Sequence, residues 1–336
     1  MEINYIKYFT IERLINAVKI ITSFQISKII RTPIVWGKPI TFSVEPTNFC
    51  NLECPECPSG LGSLTRPLGL LSFEKFKNVI DEIQSHCFYI QLFFQGEPYI
   101  NKELPEMIKY AQSKNIYVSI STNGLLINEK KVEQILNSAP NKLIFSIDGL
   151  DEESYQNYRV GGTFKDADVA LRRLLQKKKD KKLNKPFVEL QFIVMKQNED
   201  QIEKVFEYGK EAGIDKVVLK TMQVSSYENA ERFLPENEEF RRYNVENGQV
   251  KMKGKMKNHC FALWRTSVVT WDGKIVPCCF DKDAKYELGL LNGKSFNEIW
   301  HSEKYHKFRK AVLKNRSGID MCTNCTEGLK INIVEK

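Results

Sequence analysis

From residue 40 onward, short β-rich runs alternate with stretches of helical periodicity. Runs at about 40–45 (ITFSVE), 88–94 (FYIQLFF), 116–121 (IYVSIS), 142–147 (KLIFSI), 187–194 (FVELQFIV) and 215–219 (DKVVL) read as strands. Helical patterns fall near 72–85, 103–113, 128–137, 166–180 and 198–211, with Ser72 and Asn128 placed as N-caps. Six such units in a row predict parallel strands joined by right-handed crossovers, an α/β barrel or a doubly wound sheet. Periodicity does not separate these two.

The alternation stops near residue 245. Residues 266–277 (TSVVTWDGKIVP) predict a hairpin turning at Asp272-Gly273, and short helices are expected near 295–300 and 302–314. Such a segment is too small for a large core of its own and calls for a staple. Before residue 40, Leu14, Val18 and Ile21 fall at helical spacing, so residues 1–39 are expected to form one or two amphipathic helices packed on their own domain. Contact with a membrane surface or a partner is the secondary reading. Charged residues interrupt every apolar run there, which excludes a spanning helix or a signal-peptide core. The domains expected are thus 1–39, 40–245 and 246–336.

The net charge of +8 changes little, because 177–182 (KKKDKK) and 251–257 (KMKGKMK) carry all of it. Both stretches are expected to be solvated loops. Aromatic residues are not interleaved with the lysines, so a nucleic-acid surface is not expected. Nine cysteines change more: Cys50, Cys54, Cys57, Cys87, Cys260, Cys278, Cys279, Cys322 and Cys325. An odd count with Cys-x-x-Cys spacing points away from disulfides and toward metal in a reducing, cytoplasmic setting. Cys87, at a strand start, reads as a buried apolar residue.

The polar motifs follow the strands, on the face where a parallel α/β barrel carries its site. Cys50-x3-Cys54-x2-Cys57 comes after the first strand and Gln95-Gly96-Glu97-Pro98 after the second. Ser121-Thr122-Asn123-Gly124 and Ser146-Ile147-Asp148-Gly149 come after the third and fourth. Three cysteines cannot close a four-iron cluster, so one iron would stay open for chemistry. A zinc site completed by a distant ligand is the alternative, although no His lies near the motif.

CNLECPEC followed by QGEP, STNG and SIDG, one per strand, resembles the radical S-adenosylmethionine (SAM) superfamily. Cys260-x17-Cys278, WDGKIVPCC and Cys322-x2-Cys325 resemble the shortened "twitch" form of the SPASM auxiliary-cluster domain. The resemblance implies a partial (β/α)6 TIM-like barrel with a small C-terminal iron–sulfur domain. It implies a [4Fe–4S] cluster on Cys50, Cys54 and Cys57 whose open iron chelates SAM. An electron then cleaves SAM to methionine and a 5′-deoxyadenosyl radical that takes a hydrogen atom from substrate. By the same resemblance Gln95, Gly96 and Glu97 hold the SAM amino group, Ser121 and Asn123 the ribose, and Ser146 and Arg159 the carboxylate. Glu56 replaces a residue that is commonly aromatic beside adenine. Asp148 is open between capping a turn and touching substrate.

A second [4Fe–4S] cluster is expected on Cys260, Cys278, Cys322 and Cys325, with Cys279 spare because neighbours in an extended strand point apart. A four-cysteine zinc ribbon is the alternative there. A closed cluster suits electron transfer, and the layout resembles the aminocyclitol-oxidising dehydrogenases. The resemblance therefore implies two-electron oxidation of an alcohol on a sugar-like or cyclitol substrate, served by a reductant such as flavodoxin or ferredoxin. A peptide-modifying maturase is the second reading, and a zinc-bound interaction or nucleic-acid-binding protein the third.

Overall fold

The computed structural model describes residues 5–329 and 334–335, the side chains of Tyr5 and Ile6 excepted. Helix α1 (Ile11–Ile30) opens the fold, its start fixed by Thr10, whose side chain accepts the Arg13 amide hydrogen. Six strands then alternate with helices: β1 (Thr41–Val44), β2 (Tyr89–Gln91), β3 (Tyr117–Thr122), β4 (Lys142–Ser146), β5 (Phe187–Val194) and β6 (Lys216–Thr221). Between them run α2 (Phe73–Ile83), α3 (Leu104–Ser113), α4 (Glu129–Ser138), α5 (Glu152–Gln156), α6 (Phe164–Asp180) and α7 (Ile202–Ala212). After β6 come α8 (Tyr227–Phe233), β7 (Tyr243–Glu246), β8 (Gln249–Met252), α9 (Ala262–Arg265), β9 (Thr266–Val269), β10 (Lys274–Val276) and β11 (Gly289–Leu290). Then follow α10 (Phe296–Trp300), α11 (Glu303–Asn315), α12 (Asp320–Thr323) and β12 (Val334–Glu335). Ser72 and Asn128 cap α2 and α4 as their sequence positions predict. The pairs β1–β2, β2–β3, β4–β5 and β5–β6 are parallel, giving the expected α/β class with a mostly parallel sheet and TIM-like β/α units.

The chain groups into two compact units. The first comprises Met1–Phe49, Leu64–Ser119 and Met256–Gly328. In it β1 lies between β2 and β9, with Thr41 opposite both Tyr89 and Thr266 in parallel register. The predicted hairpin is present as antiparallel β9–β10, turning where Gly273 has φ +91°. A buried ion pair locks the loop after Leu64 to β1: Arg66 Nη1 and Nη2 donate to Glu45 Oε2 and Oε1 at 2.6 and 2.5 Å. The same carboxylate accepts the Trp271 amide hydrogen at 3.1 Å. A Cβ at Gly69 would stand 2.4 Å from the Trp271 ring, so glycine there lets the indole lie against the loop. Arg309 is buried between aromatic rings, 4.0 Å from the Trp300 centroid and 3.8 Å from that of Tyr305, which replaces part of its lost hydration.

Helix α1 packs on this unit with the face opposite to the one its spacing suggests. Leu14, Val18 and Ile21 are exposed, while Arg13, Ile20, Ser23, Phe24 and Ser27 are buried. Phe24 meets the rings of Phe261 and Trp264 at 4.9 and 5.2 Å. A periodic apolar stripe identifies a face but not its partner, and the polar residues pack here because their hydrogen bonds are satisfied.

The second unit comprises Cys50–Ser63, Ile120–Lys255 and Leu329–Lys336. Here β6 is flanked by β5 and by antiparallel β12, and β7–β8 forms a separate hairpin. Leu52, Tyr158, Met195, Met222 and Phe233 share a core cluster against which Cys50 and Cys57 pack. The lysines of 177–182 are not a solvated loop. Through Asp180 they form the end of α6, where cations meet the negative end of the helix dipole, and Lys177 and Lys178 pair with Glu133 and Asp215. The second lysine stretch begins on β8, and Lys253 pairs with Glu238.

Candidate active site

In the second unit the three early cysteines lie on one loop. Cys54 is buried, Cys50 and Cys57 partly so, and all three thiols are free of disulfides. The loop is held by its own backbone: Cys57 N–H donates to Cys54 O at 3.1 Å, and Leu61 N–H to Cys57 O at 2.8 Å. Gly60 permits this closeness, because a Cβ there would stand 2.6 Å from Cys54 N. Glu53 N–H donates to Val160 O at 2.9 Å, which ties the cysteine loop to the segment carrying Arg159. Burial pushes the Cys54 thiol pKa up, and Arg159 works against that shift. A guanidinium beside a buried thiol favours the thiolate, the form that ligates metal.

Arg159 is oriented by Asp148. Its Nε and Nη2 donate to Oδ2 at 2.6 and 2.5 Å, while Oδ1 accepts the Ile193 amide hydrogen at 2.6 Å. Burial lowers the Arg159 pKa, but Asp148 and Cys54 outweigh it and the net shift is upward. Asp148, left open by its motif, is thus a buried anchor between the end of β4 and β5. Ser121 and Ser146 face each other with their Oγ atoms 3.4 Å apart. Asn123 donates from Nδ2 to Asn51 Oδ1 at 2.9 Å and accepts the Leu125 amide at 3.0 Å. Glu56 accepts from the Ser225 amide and hydroxyl at 3.1 and 3.2 Å.

In the first unit Gln95, Gly96 and Glu97 form a turn after β2. Gly96 has φ +74°, and a Cβ would come within 2.4 Å of Phe49 O. That same carbonyl accepts the Glu97 amide hydrogen at 2.8 Å. Glu97 is buried and its carboxylate accepts the Tyr99 amide at 3.1 Å. Gln95 is also buried.

The late cysteines gather in this unit. Cys260, Cys322 and Cys325 are buried, Cys278 is partly buried and Cys279 is exposed. Cys278 lies within electrostatic reach of Cys260 and Cys325. Burial raises the Cys260 pKa to about 11, and Arg316 opposes the rise. Arg316, buried and unmarked by any sequence motif, donates from Nη2 to Cys325 Sγ at 3.2 Å and from Nη1 to the carbonyls of His259 and Glu327. A buried cation among thiols is compensated when those thiols are ionised, so the donor set fits an anionic thiolate cluster. Among the described residues no three His, Cys, Asp or Glu side chains converge on one point as the ligands of a single metal ion must. Cys87 is fully buried, with its thiol pushed up to about 12 by burial, as expected of a packing residue.

Comparison with known proteins gives the class. The profile of the radical SAM superfamily matches residues 44–209, and that of an iron–sulfur cluster-binding domain, SPASM, matches residues 260–326. The chain belongs to the radical SAM superfamily and carries a C-terminal SPASM domain. Its cofactors are SAM, the SAM-binding [4Fe–4S] cluster and an auxiliary iron–sulfur cluster.

More particularly, it is 24% identical over 314 residues to the tungsten-containing aldehyde ferredoxin oxidoreductase cofactor-modifying protein of Pyrococcus furiosus, across 84% of this chain and 86% of that one. It is 25% identical over 292 residues to the PqqA peptide cyclase of Granulibacter bethesdensis, across 81% of this chain and 76% of that one. The crystal structure of BtrN in complex with AdoMet and 2-DOIA shares the fold, with a TM-score of 0.55 at 18% identity, over 88% of this chain and 95% of that one.

Proposed function

We propose that the protein oxidises an alcohol on a sugar-like or cyclitol substrate by two electrons, with the auxiliary cluster as electron acceptor. In this reading Cys50, Cys54 and Cys57 hold the SAM-binding cluster, and Cys260, Cys278, Cys322 and Cys325 hold the auxiliary one. Residues 40–245 serve as the radical SAM core and 246–336 as the auxiliary domain. The reading is supported by the four late thiols, free of disulfides, with Arg316 buried against Cys325; four thiolates would suffice to close a cluster, and a closed cluster suits electron transfer. When bound, the first cluster supplies the electron that cleaves SAM to methionine and a 5′-deoxyadenosyl radical.

The chain's own residues bind and orient. Glu97 offers a buried carboxylate to the SAM ammonium, with Gln95 and Gly96 shaping its turn. Ser121 and Asn123 offer hydroxyl and amide groups to the ribose, and Ser146 and Arg159 bind the carboxylate, Arg159 being positioned by Asp148. Oxidising the alcohol to a ketone removes one hydrogen atom, one proton and one electron. The hydrogen atom would leave in 5′-deoxyadenosine and the proton would go to solvent, and an auxiliary cluster held by the late cysteines would serve as acceptor for the electron. A flavodoxin- or ferredoxin-like reductant supplies the electron that starts the cycle.

Similarity to a peptide cyclase supports a second reading, modification of a peptide. Anaerobic protein with both clusters, given SAM, a strong reductant and a panel of cyclitols, should yield ketone and 5′-deoxyadenosine in equal amounts. Cys54→Ala should abolish both products, whereas Cys322→Ala should keep 5′-deoxyadenosine and lose the ketone. Turnover of a peptide with no cyclitol oxidised would overturn the substrate class. Zinc in place of iron, after anaerobic iron-replete preparation, would overturn the cluster assignments.

A further inference from the structure

Helix α1 is built inside out. On its packed side Arg13 donates to the carbonyls of Tyr8, Gln84 and Asn115, Asn16 bonds the backbone of Lys38 through both amide atoms, and Ser27 bonds that of Ile34. Every polar group that faces inward there has a reason to stay. The outward side carries Ile11, Leu14, Ile15, Val18, Ile21 and Ile29, which are 49 to 77% exposed. At about 100° per residue these side chains, with Thr22 and Gln25 among them, fill one continuous arc of roughly 120°. The arc runs the whole helix, about 30 Å at 1.5 Å per residue.

Charge frames that arc. On the same wheel Lys19 lies along one border and Lys28 along the other, and Arg31 is exposed at the C-terminal cap. Glu12 is the one acidic residue of the helix. Trp36, 53% exposed, follows a few residues later, a side chain suited to the boundary between lipid and water.

We propose that this face docks on a bilayer surface containing anionic phospholipids, with α1 lying flat, its isoleucines among the upper acyl chains and its cations at the headgroup phosphates. A broad apolar arc bordered by lysines is the arrangement an interfacial helix needs. Crossing the bilayer is not its role, since among the described residues no helix is long and apolar enough to do so. A second copy of the chain is a poorer occupant. Two-fold pairing of the stripes would bring the lysine borders of both helices together, whereas an anionic surface takes the apolar arc and the cations at once. The inference is independent of the radical chemistry.

The test is sedimentation of the full-length, cluster-loaded protein with vesicles of equal parts phosphatidylglycerol and phosphatidylcholine, and with phosphatidylcholine alone, at low and high salt. The protein should pellet with the anionic vesicles and be released by salt. Lys19→Gln and Lys28→Gln should each weaken binding about fivefold, and the pair Ile15→Asn with Val18→Asn should abolish it. Leu183→Asn, at an exposed leucine outside α1, should bind as the parent does. Because all these side chains are exposed, thermal melting and SAM cleavage should be unchanged. Equal binding to neutral vesicles with no response to the lysine variants overturns the anionic-lipid assignment. Failure to pellet with any vesicle, or a dimer that Ile15→Asn with Val18→Asn dissolves, overturns membrane docking itself.

Discussion

Replacing Asp148 by Asn removes one charge and almost no volume, so its cost measures how the site holds Arg159. Asp148 is fully buried and the Arg159 side chain is 13% exposed. The carboxylate uses one oxygen for the guanidinium and the other for the Ile193 amide. An Asn has one oxygen, so it must turn an N–H toward one of these donors. Stranding the cation of a buried pair costs about 3–5 kcal/mol. The mispaired amide lies within the same local rearrangement, and a total near 4 kcal/mol is expected. Anaerobic urea unfolding should show that loss as a lower midpoint, and hydrogen exchange at the Ile193 amide should accelerate. Adding Arg159→Gln should recover about 2 kcal/mol or more, because the stranded charge is then gone. A cost for Asp148→Asn below about 1 kcal/mol, or additivity in the double variant, would refute the view of Asp148 as the electrostatic anchor of Arg159.

Gly96→Ala places a Cβ in a left-handed conformation, a cost of about 1–2 kcal/mol, and against the carbonyl that receives the Glu97 amide. The turn must shift, and SAM affinity in equilibrium dialysis should fall about tenfold or more; parent-like affinity would remove the role given to this turn. His86 is buried with Nδ1 bonded to Pro39 O at 2.7 Å, and burial lowers its pKa to about 4. Its folded pKa lies below the unfolded value of about 6.5, so unfolding takes up a proton between those values. Stability is full above pH 6.5, falls as pH drops toward 4, and the loss amounts to about 3 kcal/mol. His86→Gln should flatten that limb of the stability profile, and an unchanged limb would show that another group causes it.

The strands are legible in the sequence because each pairs an apolar face with β-rich composition, and the helices because their caps and stripes are local. The cysteines are legible for the same reason, spacing within a few residues. What sequence reasoning misses is held together over distance. Arg66 reaches Glu45 from a loop with no periodic signal, and nothing near Arg316 announces that it will be buried beside Cys325. The lysines of 177–182 mislead because a run of like charge suggests a loop, although a helix end accommodates it. The spacing in α1 exchanges its faces, since hydrogen-bonded Arg13 and Asn16 can pack inward and free the isoleucines to face out.

The placement of β9 beside β1 has a consequence for synthesis. The Thr41 hydroxyl donates to the carbonyl of Arg265, 224 positions further along, and β1 has no neighbour on that side until β9 arrives. At about 5–20 residues per second, a ribosome leaves that edge open for roughly 10 to 45 s. During that interval the nascent chain presents an unpaired strand able to recruit other chains. A chain truncated before residue 266 would keep that edge permanently, so removing the auxiliary domain would also withdraw a strand from the sheet that begins the fold.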